Sequence, residues 1–167
     1  NRFTLFDSLR PPEGFSFDAC IATTFTLDLK ALLTLPGIFA MHRDADAATD
    51  RPPVEILHAI RKYAKQITIF AQAGEIAVPP STKVFGFLEG SVLPVTAPKK
   101  GVVHPKVWVL RFTNNERPTE STLRVIIASR NLTFDSSWDT IVRLDQSDTG
   151  SSLEPLIGLF KGLSKQA

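Results

Sequence analysis

Hydrophobic positions along this chain change their rhythm several times, and each change predicts an element. Residues 15–25, FSFDACIATTF, are rich in aromatic and β-branched side chains and predict a strand. TLDLKALLTLP follows and predicts a short helix capped by Thr26, with Asp28 in its first turn and its end at Pro36-Gly37. Residues 41–53 are polar and close on prolines, the pattern of a surface loop. In 53–66, Val54, Leu57, Ile60 and Ala64 follow 3-3-4 spacing behind Pro53, which gives the clearest helix, with Arg61, Lys62 and Lys65 on its wet face and His58 at its edge. ITIFAQ, 67–72, returns directly as a strand. From Gly74 to Lys100, four prolines break up short apolar pieces and predict an irregular connection with an edge strand.

Three more strands are predicted at 106–112, 122–129 and 138–145. The first two are nearly continuous apolar runs, as in central strands covered on both faces. A closing helix, SLEPLIGLFKGL, carries Leu153, Leu156, Ile157 and Phe160 at helical spacing. The order predicts an α/β fold, a mixed β-sheet sandwiched between helices, in a single domain over residues 1–167.

Composition narrows the classes. A chain of 167 residues supports one core rather than two, and 43% hydrophobic with 22% charged residues excludes a disordered chain. No apolar stretch is long enough to span a bilayer, so no membrane partner is expected. The single cysteine, Cys20, cannot form an internal disulfide, which fits a reducing, cytoplasmic setting and a buried strand residue rather than a reactive thiol. The first residue is Asn, not Met, so the chain is expected to be part of a longer one. A net charge of +2 announces no polyanion by itself. Its distribution says more: Lys99, Lys100, Lys106 and Arg111 cluster around HPKVWVLRF (104–112), and Arg124 and Arg130 follow along the next apolar run, which suits an anionic substrate.

The candidate chemistry lies in two short motifs. Side chains two apart on a strand share a face. His104 and Lys106 would then present an imidazole and an ammonium together, and Ser129 and Asn131 a hydroxyl and an amide, and neighbouring strands would bring all four to one spot. A cation and neutral donors suit the non-bridging oxygens of a phosphodiester, while an imidazole attacks phosphorus or moves a proton. Lys100, Arg130 and Thr133 are the flanking candidates for substrate contact. No cofactor is expected. His42, Asp44 and Asp46 could gather a metal, but a solvated loop explains them more simply. Trp108 and Trp138 read as packing residues, Asp135 and Asp139 as capping or surface groups, and Asn131 also suits a strand exit. Thr23 and Thr24 end the first strand near the expected cleft. A Ser-His-Asp hydrolase lacks its nucleophile elbow here.

H-x-K on one strand and S-x-N on the next resemble the phospholipase D superfamily, whose signature is H-x-K-x4-D followed by G-S-x-N. The likeness covers roughly residues 104–140. Arg111 stands where the aspartate belongs, and Ala128 where the glycine does. The missing aspartate, with LRVIIASRNLTFDSSWD, is similar to the tyrosyl-DNA phosphodiesterase branch, and the whole chain looks like the amino-terminal half of a bacterial phospholipase D-like protein. The resemblance implies a metal-independent phosphodiesterase, most readily a nuclease, in which two H-x-K motifs meet. One histidine forms a phosphohistidine and the other protonates the leaving oxygen. His104 would be nucleophile or general acid, Lys106 and Asn131 would bind phosphate, and Ser129 would assist. Since His42 and His58 lack the H-x-K context, the second motif would come from a homodimer partner or a second phospholipase D-like half. A catalytically silent phosphate- or nucleic-acid-binding module is the alternative from another class, and a lipid-cleaving enzyme a third.

Overall fold

In the computed structural model, which describes residues 4–43, 53–80 and 83–167, the apolar runs become a six-stranded mixed sheet with helices on both faces. In chain order the elements are α1 (Leu5–Leu9), β1 (Phe15–Thr24), β2 (Leu27–Asp28), α2 (Leu29–Arg43), α3 (Pro53–Ala64), β3 (Ile67–Gln72) and β4 (Ile76–Ala77). A 3-10 helix (Lys83–Ser91) then leads to β5 (Val92–Val95), and a 3-10 turn (Pro98–Lys100) to β6 (Val107–Asn114), β7 (Ser121–Ala128), β8 (Ile141–Asp145) and α4 (Glu154–Leu163). The sheet order is β5-β3-β1-β6-β7-β8, and β2 and β4 form a separate two-stranded ribbon. The expected edge strand is β5.

The apolar runs at β1 and β6 sit at the sheet's centre because they bury side chains on both faces. Ala22, Ile69, Leu110, Phe112 and Ile126 pack beneath α2 and α3, while Phe70 and Val95, with Ile21 and Val109 beside them, meet Phe160 and Leu163 of α4 on the other face. Strand β3 runs parallel to β1, with Ala22 opposite Ile69. Strand β6 runs antiparallel to it, with Ala22 opposite Trp108. Strand β7 is antiparallel to β6, with Val107 opposite Ile127. The carboxyl ends of β1, β3 and β7 and the start of β6 therefore meet along one edge, where open α/β sheets bind ligands.

Several expectations fail for physical reasons. Helix α2 does not end at Pro36 but runs through it to Arg43. An interior proline costs about 3 kcal/mol. Burial of Leu32, Leu35 and Phe39, at about 1.5–3 kcal/mol each, outweighs that, and Phe39 stacks on Phe17 with ring centroids 3.6 Å apart. The cap at its head is Asp28, whose carboxylate accepts the Lys30 N–H at 2.8 Å, and not Thr26. Residues 41–43 thus belong to a helix rather than to the expected loop, and residues 44–52, with Asp44 and Asp46, lie outside those described. Helix α3 turns Ile60, Tyr63 and Ala64 into the core, but Val54 and Leu57, counted on the same stripe, are exposed. Strand β8 begins at Ile141 rather than Trp138, because Asp139 and Thr140 are engaged elsewhere. No helix among the described residues is long and apolar enough to cross a membrane.

Candidate functional site

The segment carrying His104 is fixed from below by the ends of two strands. Thr23, 1% exposed, donates its hydroxyl to the Pro105 carbonyl at 2.8 Å and accepts the Val107 N–H at 3.0 Å. Gln72 accepts the Val103 N–H through Oε1 at 2.8 Å. So held, Lys106 is 8% exposed, and its Nζ curls back to the His104 carbonyl at 2.8 Å. The same Nζ lies 3.0 Å from His104 Nδ1 and 3.1 Å from Nε2. Two ring nitrogens point their lone pairs in different directions, so an ammonium nearly equidistant from both lies over the imidazole rather than in line with either. Burial pulls the Lys106 ammonium below the usual lysine range. Among the described residues no carboxylate pairs with it. His104 itself is exposed.

Asn131 reaches the same neighbourhood by a different route. Strand β7 stops at Ala128, and the chain then runs alongside the exit of β1. Thr24 Oγ1 accepts the Leu132 N–H at 3.0 Å and donates to the Thr26 carbonyl at 2.8 Å, while Asp28 N–H donates to the Leu132 carbonyl at 2.9 Å. Between these anchors the Phe25 N–H donates to Asn131 Oδ1 at 3.2 Å, which engages the amide oxygen and leaves the nitrogen as the donor end of the side chain. The Phe25 ring lies 5.4 Å from the His104 ring, so one residue touches both candidate groups. His104, Lys106 and Asn131 are thereby brought to one strand edge.

Ser129, Arg130 and Thr133, three other sequence-derived candidates, are engaged elsewhere. Ser129 donates its hydroxyl to Asp139 Oδ1 at 2.8 Å and accepts the Thr140 N–H at 2.9 Å. Asp139 Oδ1 also takes the N–H groups of Ser129 and Arg130, at 3.0 and 3.1 Å. Strand alternation fails at this point because residues 129–131 lie beyond the β-ladder, and Ser129 turns to this clasp rather than to the His104–Lys106 pair. Arg130 bonds the carbonyls of Ser137 and Asp135, at 2.5 and 2.9 Å, and pairs with the Asp135 carboxylate. The Arg130 guanidinium, with Ser137 and Thr133 assisting, holds the Asp135 carboxyl well below the usual carboxylate range. Thr133 donates its hydroxyl to Asp135 at 2.9 Å. Lys100 is exposed in the 98–100 turn at φ 59°, without a hydrogen bond to the pair. Two further basic residues are also committed. Arg111 is ion-paired with Asp18, and buried Arg124 pairs with Asp145 at 2.5 Å and bonds the carbonyls of Ser8 and Arg10.

Sequence reasoning placed Thr23 and Thr24 near the cleft but missed that they clamp its backbone, and it missed Phe25 and Gln72, whose contacts no spacing reveals. It also read both tryptophans as packing residues. Trp108 is one, 2% exposed, but Trp138 is 82% exposed. No group of three metal-ligating side chains gathers among the described residues.

No protein-family model matches the chain, and no curated protein does. Among solved structures it is similar to two crystal structures of yeast tyrosyl-DNA phosphodiesterase 1 mutants. One is 14% identical over 77% of this chain and 24% of the yeast chain, at a TM-score of 0.42. The other is 16% identical over 78% and 24%, at 0.43. The chain spans about a quarter of the length of either. Its chemistry has to be read from its own side chains.

Proposed function

We propose that this chain carries one half of a phosphodiesterase site, with His104 as nucleophile, Lys106 and Asn131 as phosphate ligands, and nucleic acid as the substrate class. The observation that carries this is the Lys106 ammonium: 8% exposed, without a carboxylate partner among the described residues, and lying over an exposed imidazole. A buried charge is costly until an opposite charge meets it, and an anion arriving at the strand edge supplies one. Exposed Lys99 and Lys100 extend positive charge near the same segment.

In this reading a His104 ring nitrogen attacks phosphorus, forming a P–N bond as the P–O bond to the leaving group breaks. The leaving oxygen takes the electron pair and is protonated by an acid from a second H-x-K motif, in another copy or in a segment joined to this one. Water then displaces the imidazole, and the P–N bond breaks to free phosphate monoester and His104. Lys106 and the Asn131 amide hold the non-bridging oxygens throughout. Ser129 acts at one remove, by fixing the turn that leads to Asn131. The test is hydrolysis of an oligonucleotide and of an activated aryl phosphodiester by wild type and His104→Ala, with acid quench to trap a phosphorylated histidine. Turnover that persists in His104→Ala would overturn the assignment.

A second reading, a silent phosphate-binding module, is favoured by Arg111: the motif's aspartate is replaced by a cation bound to Asp18. Oligonucleotide binding that weakens with salt, without turnover in any assembled form, selects it.

A further inference from the structure

Loop 130–139 borders a cleft of about 1010 Å³ that shares Asn131 with the proposed phosphate site and is also lined by Phe6 of α1. We infer that this cleft stacks the bases of a single nucleic-acid strand whose phosphate lies at Lys106 and His104, an inference that rests on the phosphodiester reading above. Trp138 is 82% exposed, Phe134 57% and Phe6 37%. Three large rings around one cleft is an unusual amount of apolar surface to leave in water. The loop that presents two of them is ordered by its own bonds: Arg130 to Asp135, Ser137 N–H to Asp135 at 2.9 Å, and the Asp139 clasp on Ser129. Rings on a pre-ordered loop lose little freedom when a ligand stacks on them.

Charge decides what part of a ligand fits. The cleft's two arginines are already used, Arg130 by Asp135 and Arg143 by Asp145 at 3.2 Å, and two aspartates share the wall. Among the described residues lining the cleft, two arginines and two aspartates balance, which gives a phosphate no net positive charge but suits flat, neutral rings with polar edges. A duplex keeps its bases stacked inside, whereas a single strand can splay them onto aromatic side chains. Asn131 joins the two compartments, so the strand's phosphate and its bases part at that residue.

The two tryptophans make the test direct, because Trp108 is buried and quenching by a ligand reports Trp138. Titration with an oligothymidylate should quench the wild type, and an abasic deoxyribose-phosphate strand of equal length should bind more weakly. Affinity measured by anisotropy of an end-labelled oligothymidylate should fall about 5- to 150-fold in Trp138→Ala, with abasic binding unchanged and Trp138→Phe restoring most of the loss. Unchanged oligothymidylate affinity in both Trp138→Ala and Phe134→Ala, checked for folding by circular dichroism, overturns the inference. So does equal affinity for the abasic strand, or quenching by an aromatic-rich peptide but not by the strand. Lys106→Met separates the two readings: if it alone abolishes binding, the phosphate site stands and the stacking cleft falls; if Trp138→Ala alone weakens binding, the cleft stands and the phosphate site falls.

Discussion

His104–Lys106 and Ser129–Asn131 are written the same way in the sequence, two polar side chains with one residue between them, yet they end in opposite arrangements. At 104–106 the pair closes on itself, ammonium over imidazole, because Thr23 and Gln72 fix the backbone on both sides. At 129–131 the pair splits: Ser129 turns to Asp139, and Asn131 to the Phe25 N–H. Spacing fixes a shared face only inside a hydrogen-bonded ladder, and both pairs lie just outside one. There, whichever backbone donors and acceptors are nearest decide the outcome.

The comparison can be broken first at His104. His104→Ala removes the attacking atom and should lower turnover by on the order of 10⁶-fold, as deletion of a nucleophile does, while anion binding measured by calorimetry persists. Equal loss of binding and turnover would mean that the two groups do not have separate roles. Next comes the clamp. Thr23→Val keeps the shape but strands the Pro105 carbonyl and Val107 N–H, and should cost about 1–3 kcal/mol in denaturant unfolding, with the phosphate affinity falling in parallel.

Lys106→Met sharpens the contrast between stability and function. Removing a buried ammonium that has no carboxylate partner among the described residues should leave stability equal or raise it by about 1 kcal/mol, while the rise in melting temperature that vanadate or phosphate gives the wild type disappears. The pH dependence follows from the lowered pKa of Lys106. Anion affinity is full below the folded value and is lost as pH rises through it, before an ordinary lysine would discharge. Stability runs the other way. The unfolded chain holds that proton more tightly, so the native chain gains stability as pH climbs from the folded to the unfolded value. The smallest effect is expected at Ser129. Ser129→Ala should cost about 1 kcal/mol of stability by loosening the clasp and change turnover less than about threefold; a much larger loss of turnover would return its hydroxyl to the reacting group.

Much of the fold was legible because burial on two faces leaves a plain trace: ITIFAQ, VWVLRF and LRVIIA can hardly be anything but interior strands. The elements that were not legible are short or overruled. Strands β2 and β4 have two residues each, α1 has five, and α2 crosses Pro36 because of contacts made by residues far away in sequence. The roles proposed for His104, Lys106 and Asn131 were read from their types and spacing, and Phe25 joins the neighbourhood of His104 to that of Asn131. Arg130 and Thr133 could not be set aside in the same way, because their partner Asp135 lies in the loop they help to order. The exposure of Trp138 was hidden for the same reason. A tryptophan at the head of an apolar run looks like core until the clasp at Asp139 delays the strand.

Cys20 is the only thiol in the chain; it is 4% exposed, and burial pushes it well above the ordinary cysteine range. Maleimides and oxidants act on thiolates, so a buried thiol with a raised pKa is a poor target for them. Any cysteine introduced at the surface becomes the sole addressable one. A dye or spin label placed on one side of the strand edge, or in a second variant on the other, can therefore report its local surroundings in the native chain without first deleting a core residue.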